Sequence, residues 1–461
     1  MRAGLLKWPI LRKVVLFAVL LGFFLGGCAA KNSPDLSLLY SKRIAPGSRT
    51  PVIVIPGVLG SRLVDQETAK EVWPVGTWNL LFGSQFTDLS LPITTASNLD
   101  AVDQLRPSGL FYEAVGKDFY QNLIDALVGP GGYNCVTVDR IGASTNCVLF
   151  SWDWRRDIVE AAAKLDQLID RLRVLRDDPE LNVDIVAHSA GGLVARYFVR
   201  YGARDILNDE QPIMSMAGAQ KVRKAVLIGT PNFGSTSALQ RAIMGAPIGL
   251  TSIKPEVLAT MPILYELFPH PDRTWMIDPA GNRLDIDLYD VSTWKEMAWS
   301  IFNQNVRARI ENSFATSREA ENYLAAYESF FKESLLRGKR FHRALSIPIE
   351  TEHTQYIVFG SACRLTPSRC LLEQVEGMTK IRLLPDEVTN RIPGVDYDRL
   401  MLEPGDGSVT KASLLAGDGL AVSPNAKGDF PIEYAVFICA DHNELPANMT
   451  FRDNLLNILI Y

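Results

Sequence analysis

A chain of 461 residues, 47% hydrophobic and 21% charged with a net charge of −5, has the composition of a folded globular protein. The acidic balance speaks against nucleic acid, which would want a basic face. No CxxC pair and no HExxH occurs, so the metal-ligand spacings that would point to a metal are absent, and no cofactor or metal is expected.

The first residues differ from the rest. Arg2, Lys7, Arg12 and Lys13 make a basic start, Val14 to Leu25 is almost wholly apolar, and Leu25-Gly26-Gly27-Cys28 follows. A charged beginning, an apolar run and small residues before a break are the parts of a secretory signal. The run is shorter than the roughly 18–20 residues that a membrane-spanning helix needs. Its ending resembles the bacterial lipobox, which implies cleavage before Cys28 and lipid attachment on that cysteine. Each buried methylene of such a chain contributes about 0.8 kcal/mol, so two or three chains hold a protein on a bilayer. Ala29 stands where an aspartate would signal inner-membrane retention. The expected layout is a signal peptide at 1–27, an anchor and linker at 28–50, and one large domain at 51–461. The expected place is the bacterial cell envelope, lipid-anchored, at the outer membrane facing the periplasm or the exterior.

Further on, short β-branched runs alternate with helical patterns. Pro51 to Ile55 reads PVIVI and ends at Pro56-Gly57; Cys135–Val138 and Val148–Phe150 are weaker runs of the same kind. Asp157 to Leu175 has apolar residues at helical spacing and ends before Asp177-Asp178-Pro179. Val183 to Ala187 and Lys224 to Ile228 read as buried strands, a helix runs from Gly191 to Tyr201, and Tyr356–Phe359 and Tyr434–Ala440 supply the last strands. Strands apolar on both faces and alternating with helices predict an α/β fold, a mostly parallel sheet with helices on both faces. Two stretches break the rhythm: 71–111, rich in Trp, Leu and Phe, and about 235–350, which includes a helical segment at Ser317–Arg337. Insertions over the carboxyl ends of such strands form lids and caps, so the first is expected as a lid and the second as a cap. In an exported protein, neighbouring cysteines read as local disulfides. Cys135 is expected to pair with Cys147 and Cys363 with Cys370, leaving Cys439 as a buried thiol.

The strongest local signal is Ala187-His188-Ser189-Ala190-Gly191-Gly192, between a buried strand and a helix. A serine at so sharp a turn is held in a strained conformation with its hydroxyl exposed at the sheet's edge. The usual pattern is G-x-S-x-G, and Ala187 replaces the first glycine. A hydroxyl becomes a nucleophile only when a base takes its proton. Of five histidines, His442 comes directly after the last strand, where the order Ser…Asp…His puts the base. The orienting acid is sought between them. Asp406, between two glycines in Pro404-Gly405-Asp406-Gly407-Ser408, is favoured over Asp418 and Asp441. For a tetrahedral oxyanion, the amide of Ala190 supplies one donor. Val58, with Leu59 as the near alternative, supplies the other from Pro56-Gly57-Val58-Leu59-Gly60-Ser61.

These residues resemble the lecithin:cholesterol acyltransferase family, which includes lysosomal phospholipase A2-type enzymes and phospholipid:diacylglycerol acyltransferases. The matching pieces are PVIVIPGVLGSRL at 51–63, Trp73, SWDWRRD at 151–157, VDIVAHSAGGLVARYF at 183–198, LIGTPNFGS at 227–235, GDGSV at 405–409 and the ending His442-Asn443-Glu444-Leu445. The resemblance implies an α/β-hydrolase fold, a triad of Ser189, Asp406 and His442, and acyl transfer from a glycerolipid to water or an alcohol. It also implies that the segment near Trp73 is a lid or lipid-binding element. The expected partners are a lipid or acyl-ester substrate and, through the anchor, a membrane. A hydrolase of soluble esters or thioesters and a non-catalytic lipoprotein scaffold are the competing readings.

Overall fold

The computed structural model describes residues 34–40, 49–74, 86–93, 103–114, 117–209, 213–349, 353–417 and 431–461. The signal segment, Cys28, Asp418 and parts of the expected lid lie outside the described residues. Seven strands form one parallel sheet: β1 (Val52–Ile55), β2 (Cys135–Thr137), β3 (Cys147–Leu149), β4 (Val183–His188), β5 (Val222–Ile228), β6 (Gln355–Gly360) and β7 (Ile432–Phe437), in the order β7-β6-β5-β4-β1-β3-β2. Among the described residues, the helices around the sheet and its site include α1 (Gln121–Val128), α2 (Ile158–Arg176), α3 (Ala190–Tyr201), α4 (Thr236–Met244), α5 (Ser317–Leu345) and α6 (Met449–Ile460).

Alternation along each strand explains the layering. Ile53, Ile55, Ile185, Ala187, Ala225, Leu227 and Val358 face one core, with α2, α3 and the helices of 235–350. Val52, Val54, Val186, Val226, Ile228, Ile357 and Phe359 face the other, with α1 and α6. A parallel sheet buried on both faces calls for apolar side chains on both, which is why these runs lack polar alternation; buried Asp184 in β4 is an exception, paired with Arg223 of β5. Strand β7 ends earlier than the Tyr434–Ala440 run suggests. It has one neighbour, and beyond Phe437 the chain peels away to carry Cys439 and His442. Near the other end of the chain, Leu36 and Tyr40 pack on Leu456 of α6, and the Tyr40 hydroxyl donates to Asp453 at 2.8 Å.

One of the two expected disulfides is present and the other is corrected. Cys135 and Cys147 pair across neighbouring strands β2 and β3, where they stand opposite each other in register. Cys363 bonds to Cys439, not to Cys370, which is a buried free thiol whose pKa burial pushes up to about 12. The reason is topological. Parallel strands β6 and β7 end side by side, Gly360 opposite Phe437, so the segments leaving them bring Cys363 and Cys439 together. Cys370, by contrast, begins a strand that pairs with Met276–Ile277 in another sheet.

The stretch 235–350 is fastened to the sheet layer at the start of α2. Asp157 caps that helix by accepting from the Val159 amide at 2.7 Å and is paired with Arg337 of α5. Glu266, ending the short helix Pro262–Glu266, accepts from the Ile158 amide at 3.0 Å. Burial, with the Asp157 charge beside it, pushes the Glu266 carboxyl well above its ordinary value of 4.5.

The disulfide pattern and the buried carboxyl can each be checked in solution. Peptide mapping without reduction should recover Cys135 linked to Cys147 and Cys363 linked to Cys439, with Cys370 alkylated only after unfolding; a Cys363–Cys370 peptide would contradict the topology. For Glu266, the folded pKa is raised, so its neutral form favours folding fully below about 4.5 and the benefit fades as pH rises toward the folded value. Glu266→Gln should therefore gain stability over wild type at pH 8 relative to pH 4.5 by at least about 1 kcal/mol, read by denaturant melts at both pH values.

Candidate active site

Parallel strands deliver their following loops to one edge of the sheet, and there the chain assembles its polar cluster. Ser189 follows β4 at φ 54° and ψ −127°, a conformation that L-residues rarely adopt. It holds because the Ser189 amide donates to the Ile228 carbonyl of β5 at 2.7 Å, and α3 begins at the next residue. Ala187 is fully buried in β4, so its methyl group is accommodated where the usual pattern has glycine.

His442 sits in a turn of 3-10 helix after β7, its Nε2 2.9 Å from Ser189 Oγ. Its Nδ1 lies 2.8 Å from Asp406 Oδ2, and its amide donates to the Asp406 carbonyl at 2.9 Å. Asp406 stands at the end of the strand Leu402–Gly405, which pairs with Arg364–Pro367 directly after Cys363. Its Oδ1 accepts from the amides of Ser408 at 2.9 Å and Val409 at 2.7 Å. Burial alone would raise this carboxyl, but His442 and the two amides outweigh it and leave Asp406 below its ordinary value. Asp441, the sequence neighbour of His442, turns outward to Arg364 at 2.6 Å.

Of the two expected oxyanion donors, Ala190 follows Ser189 directly, and Val58 follows Gly57, which lies against the serine. A Cβ on Gly57 would lie 2.7 Å from Ser189 Cβ, so only glycine lets the loop approach the serine this closely. Among the described residues the amides of Val58, Leu59 and Ala190 donate to no protein group. The loop around them is held by groups whose purpose the sequence does not disclose. Trp152 Nε1 donates to the Pro56 carbonyl at 2.9 Å, Trp73 Nε1 to Leu59 at 2.8 Å and Trp154 Nε1 to Ser61 at 3.0 Å. Trp73 is buried and packs edge-on against Trp154 with ring centroids 5.8 Å apart, so it serves as a brace for this loop. The indoles are visible in SWDWRRD, but nothing in the sequence says which carbonyls they meet.

Gly229 lies beneath the His442–Asp406 pair, a placement that the sequence does not announce. It follows β5 at φ +57°, and a Cβ there would come within 3.1 Å of His442 Nδ1 and 3.2 Å of Asp406 Oδ2. Gly229→Ala should keep the fold, cost about 1–2 kcal/mol for the left-handed backbone, and lower ester turnover by about tenfold or more by displacing the pair. Thermal melts and kcat on one sample check both parts. Unchanged kcat would mean that the His442–Asp406 contact is not needed at this spacing.

A family model described as lecithin:cholesterol acyltransferase matches residues 103–340, more than half of the 461-residue chain. That span contains Ser189 and ends before Asp406 and His442. Among curated proteins there is no match. Among solved structures, the Tle4–Tli4 complex aligns at 14% identity with a TM-score of 0.53, covering 90% of this chain and 98% of that one. At that identity the likeness is one of fold. A Staphylococcus hyicus lipase aligns at 14% identity and TM-score 0.36, covering 89% of this chain and 94% of the other. EstA from Clostridium botulinum gives 11% and 0.34, over 93% and 91%. Among the described residues no helix is long and apolar enough to cross a membrane, and no cluster of His, Cys, Asp and Glu could hold a metal ion.

Proposed function

The chain belongs to the lecithin:cholesterol acyltransferase family, and on that basis we propose that it is a serine lipase, phospholipase or acyltransferase that cleaves glycerolipid acyl esters through an acyl-enzyme on Ser189. The observation that carries the reading is the hydrogen-bonded chain from Ser189 Oγ to His442 at 2.9 Å and on to Asp406 at 2.8 Å, beginning at a strained elbow.

His442 Nε2 takes the hydroxyl proton as Oγ attacks the ester carbonyl carbon. Negative charge moves to the carbonyl oxygen, where the amides of Val58 and Ala190 receive it; such donors are worth about 10²–10³ in rate each. Asp406, ionised and held by two amides, keeps the His442 proton on Nδ1 and stabilises the imidazolium. As the tetrahedral species collapses, His442 returns its proton to the departing alcohol oxygen and leaves the acyl group on Ser189. Water or an acceptor alcohol then repeats the sequence in reverse. Lipid attachment at Cys28 would hold this chemistry beside a bilayer in the cell envelope; the signal-like segment Val14–Cys28 supports that part of the proposal.

The test compares wild type with Ser189→Ala on short- and long-chain p-nitrophenyl esters and on phospholipid vesicles. Long-chain hydrolysis should exceed short-chain hydrolysis and fall by at least about 10³-fold in the variant. A preference for short chains would turn the reading toward soluble esters or thioesters. Equal inertness of both proteins on every substrate would favour a scaffold.

A further inference from the structure

His188 and Tyr120 take no part in the acyl-transfer steps, yet they join the two halves of the site. Tyr120 precedes α1 and is 3% exposed; its hydroxyl accepts from the Gly57 amide at 2.9 Å. The same oxygen lies 2.8 Å from His188 Nδ1, and His188 Nε2 lies 3.1 Å from the His442 carbonyl.

The donors in this chain are fixed by chemistry. A carbonyl only accepts, so His188 Nε2 carries the hydrogen. A neutral His188 with its hydrogen on Nε2 leaves Nδ1 as an acceptor, so the Tyr120 hydroxyl donates to it while the Tyr120 oxygen accepts from Gly57. That arrangement requires a neutral imidazole. Burial, then the nearby His442, pushes His188 down to about 3, and the Tyr120 hydroxyl is raised far above its ordinary value by its own burial. One proton arrangement therefore persists through the working pH range.

We propose that Tyr120 and His188 form a positioning relay that sets the loop carrying the Val58 amide and the backbone of His442 in a fixed relation across Ser189. The proposal rests on the serine mechanism and goes beyond it. The relay commits the Gly57 amide to Tyr120, which leaves the next amides for an oxyanion. It also completes the fastening of His442, whose amide is held by Asp406 and whose carbonyl is held by His188. With both backbone groups anchored, the Cα from which the His442 ring projects is fixed, and the Nδ1 contact to Asp406 then turns the ring toward Oγ. The His188 and His442 rings, with centroids 5.0 Å apart, add contact along the same line. A residue that only filled the core would need the shape of His188 but neither of its hydrogen bonds.

Tyr120→Phe keeps the ring and removes the relay's middle oxygen. His188→Asn keeps an acceptor near Nδ1 but has no donor that reaches His442, whereas His188→Gln reaches it. On a p-nitrophenyl ester, Tyr120→Phe and His188→Asn should each lower kcat by about 10- to 100-fold with KM within about threefold. The double variant should fall no further than the worse single one, and His188→Gln should recover part of the loss. Labelling of Ser189 by a fluorophosphonate should slow in parallel. Losses that multiply, or variants that label and turn over as wild type does, overturn the relay and leave the serine mechanism standing. Wild type that fails to label while Ser189→Ala retains activity overturns the serine reading and the relay with it. If Tyr120→Phe does not fold, the His188→Asn and His188→Gln pair decides alone: equal losses sink the relay.

Discussion

The Ser189 amide bonded to the Ile228 carbonyl is the contact on which the site depends. A serine at φ 54° and ψ −127° lies outside the conformations that side chains prefer, at a cost of about 1–3 kcal/mol. It stays there because β4 behind it is paired on both sides, with β1 and β5, and α3 ahead of it is buried along its whole length. The ladder is carried one residue past the strand, into the turn. The position of the hydroxyl at the sheet's edge is thereby set by the fold itself.

The loops that meet Ser189 are fixed by different means. The Pro56–Ser61 loop is held by three buried indoles that donate to its carbonyls and by one buried phenol whose oxygen accepts from the Gly57 amide; among the described residues the next two amides donate to no protein group. The His442 turn is tied covalently through Cys439 to Cys363, and Cys363 leads straight into the strand that pairs with the one ending at Asp406. His442 and Asp406 thus hang from one bridge. Arg364 and Asp441 span the same joint at the surface, half-exposed, where an ion pair contributes little to stability.

The stretch 235–350 belongs to the same body. Trp294, Phe331 and Tyr265 of this region pack on one another at centroid spacings of 5.1 and 5.2 Å and join the core beneath α2 and α3. Its polar fastening, Glu266 and Arg337 on Asp157, reuses the start of α2, whose first amides need acceptors in any case. The family match runs through this region to residue 340, although no motif is legible in it. Aromatic packing of this kind tolerates exchange of residues, so it leaves composition in a sequence and no short signature.

Some of this is readable from residues alone because it is local. The doubly buried strands, the serine between strand and helix, and the Gly-Asp-Gly turn at Asp406 each declare themselves within a dozen residues. The position of a histidine after the last strand follows from chain order. Other features depend on which strands become neighbours. Closeness in sequence pairs Cys363 with Cys370, and only the parallel pairing of β6 with β7 shows Cys439 to be closer in space. The indoles of 152 and 154, Gly229 under the His442–Asp406 pair, and the Tyr120–His188 link are likewise silent, since each acts on a partner delivered by another strand. Architecture and the candidate Ser, His and Asp are thus written into the chain itself, because periodicity and turn chemistry are properties of short segments. What holds those groups in place is settled by the folded molecule alone, because hydrogen bonds between distant loops have no period, spacing or motif until the sheet has brought the loops to one edge.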